Sequence, residues 1–306
     1  MNTRIRQHDT GKINIILHDK QDVTHTMNQS AILKQHEGLQ RIDDAFSSFT
    51  GLRDLKEQLK EMYAIRLMQT KREELGLTVP KQVMHMIFKG NPGTGKTTIA
   101  RKLAEVFGQL NMLSKGHFIE VERADLVGEY VGQTAQKTRN NVQKAIGGVL
   151  FVDEAYALAR GGEKDFGREA IDTLVKQMED HHHDFILILA GYPLEMDYFL
   201  RLNPGLESRF PFHIPFDDYN ADELMDIAQH KLREQEFVLS SNAEKKLKDH
   251  LVHLCLHRPV HFSNGRYVRN MIERSIRRQS IRLLNKNVYS VDDLIKLTVN
   301  DLELKN

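Results

Sequence analysis

At positions 90–97 the chain reads Gly90-Asn91-Pro92-Gly93-Thr94-Gly95-Lys96-Thr97, a phosphate-loop pattern of the form G-x-x-x-x-G-K-T. It stands between an apolar segment, Met84–Phe88, and a helical segment, Thr98–Leu110. Glycines let backbone N–H groups close around phosphate oxygens, and the N-terminus of the following helix adds positive potential. Lys96 is expected on the β- and γ-phosphates, and the Thr97 hydroxyl on Mg²⁺. The stretch predicts a nucleoside triphosphate site with contacts from Gly90, Asn91, Pro92, Gly93, Thr94, Gly95, Lys96, Thr97 and Thr98.

The composition limits which kinds of partner and which cellular compartment are expected. The 306 residues include 43 Lys and Arg against 42 Asp and Glu, without the basic excess of most nucleic-acid-binding proteins, so no nucleic acid partner is expected. No apolar run approaches the ~20 residues of a membrane span, and the polar segment Met1–Asp9 lacks the apolar stretch of a signal peptide. The single cysteine, Cys255, excludes an internal disulfide and fits a cytoplasmic location.

The apolar pattern alternates between strands and helices from residue 84 to residue 216. This alternation predicts an α/β fold in which five parallel strands form a sheet covered by helices on both faces. After Pro215 the pattern becomes purely helical, with helices over Ala221–Arg233, Ala243–His257 and Tyr267–Leu284 and a short one near the C-terminus. The strand candidates are Met84–Phe88, His117–Val121, Val149–Val152, Phe185–Ala190 and Phe212–Phe216, and the helices between them are Thr98–Leu110, Thr134–Ile146, Gly167–Met178 and Glu195–Leu200.

Ahead of the sheet the sequence is less informative. Apolar residues recur at helical spacing over Leu52–Leu75, and Gly76 is a plausible stop. Alternation over Lys12–Leu17 is typical of a strand, and Ile32–Phe49 is predicted to be helical. No chemistry is assigned to this first part of the chain.

The segment Val149–Val152 followed by Asp153 and Glu154 is a second candidate for chemistry. A buried strand that ends in Asp at the carboxyl edge of a parallel sheet places that carboxylate beside the phosphate loop, where it can hold Mg²⁺. The adjacent Glu154 is then suited to orient and deprotonate the attacking water. The alternative interpretation is a solvated acidic pair at a strand end, but the phosphate loop about 50 residues upstream favours the catalytic one.

These motifs, the order of strands and the all-helical C-terminal part resemble the AAA+ ATPases. Within them the chain is similar to the branch that contains the red-type Rubisco activase and a stage V sporulation protein. The resemblance implies an N-terminal extension of unknown role (residues 1–45), an AAA+ P-loop domain with a five-stranded parallel sheet (46–216) and a C-terminal helical lid domain (217–306). The residues that carry it are His85-Met86 with Phe88–Thr98, Asp125–Gly132, Gly148–Tyr156, Ile188–Tyr192, Asn203–Gly205 with Ser208-Arg209, and Asn264–Arg266 with Val268–Asn270. Leu113–His117, Ala159–Phe166 and Gly11–Leu17 favour the sporulation side of the branch.

The resemblance also implies a subunit that is incomplete alone. Such ATPases form hexameric rings with nucleotide between neighbours. Arg209 matches the arginine finger, although an arginine at a helix end is usually a surface cation. Arg266, with Arg269 as the alternate, matches the second sensor, and the competing interpretation is a basic helix face. Tyr192 stands where many members carry the asparagine or threonine of the first sensor, and Gly51 and Leu52 stand where the family contacts adenine.

A loop between glycines, Gly128–Gly132, carries Tyr130 and Val131. In related rings an aromatic-aliphatic-Gly loop lines the central pore and grips polypeptide side chains, so this pair is the expected pore loop. The alternative is a tyrosine packed on its own subunit. The loop Gly161–Phe166 falls where a second pore loop occurs.

The leading hypothesis is therefore a Mg²⁺-dependent ATPase, converting ATP and water to ADP and phosphate, that threads or remodels a protein substrate in a ring of its own copies. The sporulation-like stretches favour a role in spore development. The alternative is a non-threading, ATP-dependent switch or scaffold that recruits a partner protein. A DNA-acting loader is a third class, which the near-zero net charge disfavours.

Overall fold

The structure, a computed structural model, describes residues 5–7, 13–15, 37–47, 49, 52–79, 83–161, 165–181, 184–203, 205–259, 262–286 and 289–304. The chain separates into two compact units, Met1–Gln40 and Arg41–Asn306. In the first unit, strands β1 (Ile5–Gln7) and β2 (Ile13–Ile15) pair antiparallel, with Ile5 opposite Ile15. The predicted strand over Lys12–Leu17 is thus confirmed, in a shorter form.

The second unit contains the predicted five-stranded parallel sheet. Its strands are β3 (Met86–Gly90), β4 (Phe118–Val121), β5 (Val149–Val152), β6 (Ile186–Gly191) and β7 (Phe212–Phe216), in the spatial order β4-β5-β6-β3-β7. Every residue of β5 and β6 is buried, as expected for a parallel sheet that is covered on both faces. The α/β fold class is confirmed.

Helices cover the two faces of this sheet. Strand β3 alternates between the two faces, because Met86 and Phe88 join a core with Phe107, whereas Ile87 joins a separate core with Leu174. The helices are α1 (Glu37–Ala45), α2 (Arg53–Glu74), α3 (Lys96–Gln109), α4 (Arg123–Leu126), α5 (Gln133–Ala145), α6 (Gly167–Asp180) and α7 (Pro193–Leu202). The one-turn helix α4 was not predicted, because its signal is a single capping box between Glu122 and Asp125.

The C-terminal part, residues 220–304, is called the helical part below. Its helices are α8 (Ala221–Glu234), α9 (Ser241–Leu256), α10 (Asn264–Leu284) and α11 (Val291–Ile295). The first three enclose a core of their own. The prediction of a purely helical pattern here was wrong, because β8 (Val238–Leu239) pairs parallel with β9 (Lys296–Leu297). Strands of two residues are too short to give an alternating signal.

The end of the helical part is fixed by a buried ion pair. The Asp301 carboxylate is fully buried and accepts hydrogen bonds from the Arg282 guanidinium at 2.7 and 2.9 Å. The Thr298 N–H and hydroxyl also donate to it, each at 2.7 Å. A buried carboxylate is tolerated when its oxygens are satisfied in this way. Among the described residues, no helix combines the length and apolar character needed to cross a membrane.

Candidate active site

The carboxyl ends of three neighbouring strands bring the predicted motifs together. The phosphate loop (residues 91–95) follows β3, Asp153 and Glu154 follow β5, and Tyr192 follows β6, the strand between them. A cavity of about 560 Å³ opens at this edge. The lining residues before β7 are Phe49, Pro92, Gly93, Gly95, Lys96, Thr97, Thr98, Ile99, Asp153, Glu154, Gly191 and Tyr192. Those after β7 are Tyr219, Asp226, Ile227, His230, Lys231, Glu234, Gly265, Arg266 and Arg269.

The phosphate loop has a backbone that requires glycine. Gly93 and Gly95 have φ values of 73° and 94°, in the left-handed region that side chains with a Cβ rarely adopt. Lys96 then begins α3, and its ammonium donates to the carbonyl oxygens of Gly90 (2.7 Å) and Asn91 (2.9 Å). The motif puts a lysine directly after the loop, and in the structure its ammonium lies against these two loop carbonyls.

Burial sets the acidity of Lys96. Its side chain is 8% exposed, and this burial lowers its pKa from 10.5 to about 8. The carboxylates of Asp153 and Glu154 oppose the shift, while the Arg266 guanidinium adds to it. The ammonium therefore remains charged at neutral pH but lies within reach of titration in mild alkali.

This pKa predicts a pH dependence of nucleotide binding. An anionic phosphate binds the protonated ammonium, so the affinity for ADP should be level below about pH 8 and fall up to about tenfold per pH unit above it. The measurement is a titration with ADP at a series of pH values from about 7.5 to 9.5, where the ADP phosphates are fully ionised. An affinity that stays constant across this range would contradict the combination of a lowered Lys96 pKa with a contact between Lys96 and the phosphates.

The two carboxylates occupy a strained turn. Glu154 has φ 46° and ψ 44°, a left-handed conformation that costs a non-glycine residue on the order of 1–3 kcal/mol. Its N–H donates to the Asp153 carboxylate at 3.0 Å, so the turn is tied to that side chain. Strain of this kind persists where the surrounding structure requires one side-chain position.

Two tyrosines flank Glu154. The Tyr192 hydroxyl lies 3.5 Å from a Glu154 carboxylate oxygen, and the Lys96 ammonium lies 5.9 Å from the centre of the Tyr192 ring. The Tyr156 ring packs beside the Tyr192 ring, with 5.6 Å between the ring centres and an angle of 35° between the ring planes. Burial, followed by the Glu154 charge, raises the pKa of both phenols, so both stay protonated beside the carboxylate. Tyr192 was predicted from the sequence, whereas Tyr156 was not, because no motif distinguishes it from a core residue.

The helical part closes the other side of the cavity. Arg266 and Arg269, one turn apart at the start of α10, both line it. Of the two, Arg266 acts on the pKa of both Lys96 and Tyr192. Helix α8 also contributes side chains that the sequence analysis missed, at positions that share one helix face: Asp226, Ile227, His230, Lys231 and Glu234.

Some residues predicted to contact nucleotide do not line this cavity. Gly90 lies against Phe216, Asn91 turns its amide to Asp218, and the Thr94 hydroxyl donates to the Asn91 carbonyl at 2.8 Å. Leu52 packs against the core of the sheet. Gly51 lies outside the described residues. The roles of these five residues in binding stay predictions.

Two predicted features lie away from the cavity. The Arg209 guanidinium donates to the Glu179 carboxylate at 2.6 and 3.2 Å and to the Gly205 carbonyl at 2.7 Å. Tyr130 is 68% exposed and Val131 is 87% exposed, so most of the surface of each residue faces solvent. Part of the second candidate loop, residues 162–164, lies outside the described residues.

Comparison with known proteins adds to this geometry. The profile described as "ATPase family associated with various cellular activities (AAA)" matches residues 86–218, and the AAA lid domain matches residues 220–306. The chain is 54% identical over 306 residues to Stage V sporulation protein K of Bacillus subtilis (strain 168), covering 97% of this chain and 95% of that protein. It is 42% identical over 259 residues to the chloroplastic ribulose bisphosphate carboxylase/oxygenase activase of Cyanidioschyzon merolae (84% and 88% covered) and 43% identical over 243 residues to protein CbbX of Cereibacter sphaeroides (79% and 78% covered).

Proposed function

Because this chain belongs to the AAA family of ATPases, we propose that it hydrolyses ATP at sites shared between neighbouring copies and uses the energy to pull a protein segment through a central pore. One observation carries the proposal: a cavity that combines Lys96 with Asp153 and Glu154 occurs in the same chain as an exposed Tyr130-Val131 pair. If the chain had the hydrolysis residues but no exposed pair to grip a polypeptide, only the non-threading, ATP-dependent switch would be supported.

The nucleotide is held by the phosphate loop and the helical part. Lys96 and the loop N–H groups bind the β- and γ-phosphates, and the N-terminus of α3 adds its dipole. Arg266 contacts the γ-phosphate from the opposite side and moves the helical part toward it, with Arg269 as the alternate. Its charge already acts on Lys96, which supports this choice.

Thr97 and Asp153 are suited to hold Mg²⁺. Both offer oxygen donors to one cavity, and a hydroxyl with a carboxylate is a donor set that this hard cation accepts. When bound, the ion neutralises charge on the β- and γ-phosphate oxygens. The protein contributes the placement of these two oxygens beside Lys96.

Glu154 is the group that prepares water for attack. Its carboxylate accepts a proton from water while the water oxygen approaches the γ-phosphorus. The Tyr192 hydroxyl lies 3.5 Å from that carboxylate and orients it. This contact supports a first-sensor role for Tyr192. The strained backbone at Glu154 supports the role of Glu154 in preparing water, because the backbone fixes where the carboxylate can lie.

The position of Arg209 supports the proposed ring. Its guanidinium lies outside the cavity of its own subunit, where it pairs with the exposed Glu179. In a closed ring with a head-to-tail interface, the same arginine reaches the γ-phosphate of the neighbouring subunit. A hexamer is the arrangement that the family resemblance supports.

The pore loop is tested by Tyr130→Ala, with Tyr289→Ala, another exposed tyrosine (55%), as the matched control. The probe is a carboxymethylated, permanently unfolded lactalbumin. We expect the wild type and Tyr289→Ala to accelerate ATP hydrolysis when the unfolded chain is added, and Tyr130→Ala to lose this response while its basal rate and ring assembly persist.

An unchanged response in Tyr130→Ala would contradict pulling and favour the scaffold that only recruits a partner. The similarity to the protein named Stage V sporulation protein K supports a role in spore development. The cytoplasmic location expected from the single cysteine stays a prediction. The protein substrate is still to be identified.

A further inference from the structure

Asp218, at the junction between β7 and α8, binds three side chains from three different elements. The Asn91 amide of the phosphate loop lies 3.0 Å from both of its carboxylate oxygens. The Asn264 amide, at the start of α10, donates to it at 2.6 Å, and the Arg258 guanidinium, after α9, at 2.8 Å. We call these four residues the Asp218 junction. It joins the phosphate loop to the helical part through one carboxylate.

Donors from the same region also fix the backbone of the phosphate loop. Three successive loop carbonyls accept hydrogen bonds: Pro92 from the Asn264 amide (3.4 Å), Gly93 from the Gly265 N–H (3.0 Å) and Thr94 from the Tyr219 hydroxyl (2.8 Å). In a planar trans peptide the N–H points away from the C=O. Holding these carbonyls toward the helical part therefore directs the next N–H groups the other way, as a phosphate cradle requires.

The contacts within the Asp218 junction keep the Asp218 carboxylate charged. Asn264 is fully buried, adopts φ 45° and accepts from the Tyr219 N–H at 3.1 Å, so its amide has one orientation. Burial alone would raise the pKa of Asp218, but the hydrogen bonds from Asn264, Asn91 and Arg258 outweigh it and leave the pKa below its usual value. A carboxylate with this many donors is rigid, and the sequence gives no motif that would mark it.

We propose that Asp218 is a positioning residue for nucleotide: through Asn91 and Asn264 it holds the phosphate loop in its binding shape before nucleotide arrives and ties the helical part to that shape. The inference rests on the proposed nucleotide site. A loop that is already ordered loses less conformational freedom on binding, so Asp218 raises the affinity through the loop rather than by contacting the ligand itself. Because one carboxylate serves both partners, their contributions are coupled rather than additive.

The test is a double-mutant cycle on the affinity of the full-length chain for fluorescent mant-ADP. The variants are Asn91→Ala, Asp218→Ala and the double variant, with Asp222→Ala as the control, since Asp222 is a neighbouring acid whose side chain is 79% exposed. We expect Asn91→Ala and Asp218→Ala each to raise the Kd roughly tenfold, the double variant to equal Asp218→Ala, and Asp222→Ala to leave the Kd unchanged.

Several outcomes separate this proposal from a merely structural role and from the proposed function. If Asn91→Ala weakens binding equally with and without Asp218, the coupling is absent and the proposal is overturned; retained affinity in both single variants overturns it as well. Should Asp218→Ala not fold, Asp218→Asn, which preserves the volume, completes the cycle with the same expectation. If the wild type itself fails to bind mant-ADP, it is the nucleotide site that is wrong.

Discussion

Replacing Arg209 by alanine is expected to slow ATP hydrolysis by roughly 10³–10⁵-fold while leaving nucleotide binding intact, because the guanidinium stabilises charge that develops only in the transition state. Arg209 lies outside the cavity of its own chain, so nucleotide bound there does not depend on it. The matched control is Arg201→Ala, which removes another exposed arginine from the nearby end of α7. Steady-state hydrolysis and mant-ADP affinity, measured on all three proteins, give the two quantities.

A mixing experiment determines whether the site is shared between subunits. Lys96→Ala lacks the phosphate contact and Arg209→Ala lacks the finger, so each protein alone should be inactive. In a random mixture of equal amounts, about a quarter of the interfaces combine an intact pocket with an intact finger, and activity should reappear. A mixture that stays as inactive as its components, despite forming mixed rings, would show that Arg209 does not act across the interface.

Glu154→Gln is expected to lower the hydrolysis rate by roughly 10²–10⁴-fold and to retain ATP, because the amide keeps the shape of the side chain but cannot accept the proton. Single-turnover hydrolysis and retention of radiolabelled ATP measure the two effects. Glu195→Gln, an exposed acid in the first turn of α7, controls for the loss of one negative charge.

The same variant identifies the substrate if pulling is correct. A ring that holds ATP without hydrolysing it should keep its protein substrate, which co-purifies and can be sequenced. Rapid hydrolysis in Glu154→Gln would remove Glu154 from the proposed chemistry and leave Asp153 or a water chain as the base.

The sheet and its motifs could be predicted because their signals are local. Continuous apolar runs that end in Asp153 or in the phosphate loop predict both a buried strand and the edge at which its last residue lies. The boundaries of β3 were less accurate: it covers Met86–Gly90 rather than Met84–Phe88, since Lys89 and Gly90 pair with Pro215 and Phe216. Pairing partners of this kind are not visible in the composition of one segment.

The rest of the site depends on tertiary packing. His230 and Glu234 are ordinary surface types on an amphipathic helix, and they line the cavity only because the fold brings α8 to the same cavity as the phosphate loop. In the sequence, Asp218 looks like an ordinary acidic loop residue. Only the structure shows its contacts with Asn91 and Asn264, which lie 127 and 46 residues away along the chain. Contacts over such separations leave no periodic pattern in the sequence.

The contact between Arg209 and Glu179 bears on how the protein behaves when it is alone. Under the proposed function, the arginine of an unassembled copy is occupied by a carboxylate of that copy, so the group that completes catalysis is withheld until another copy supplies a more strongly charged acceptor. Exposed pairs of this type contribute little free energy, and the exchange is therefore easy. Under the same proposal, dispersed molecules would conserve the cell's ATP, and consumption would begin only where enough of them have gathered.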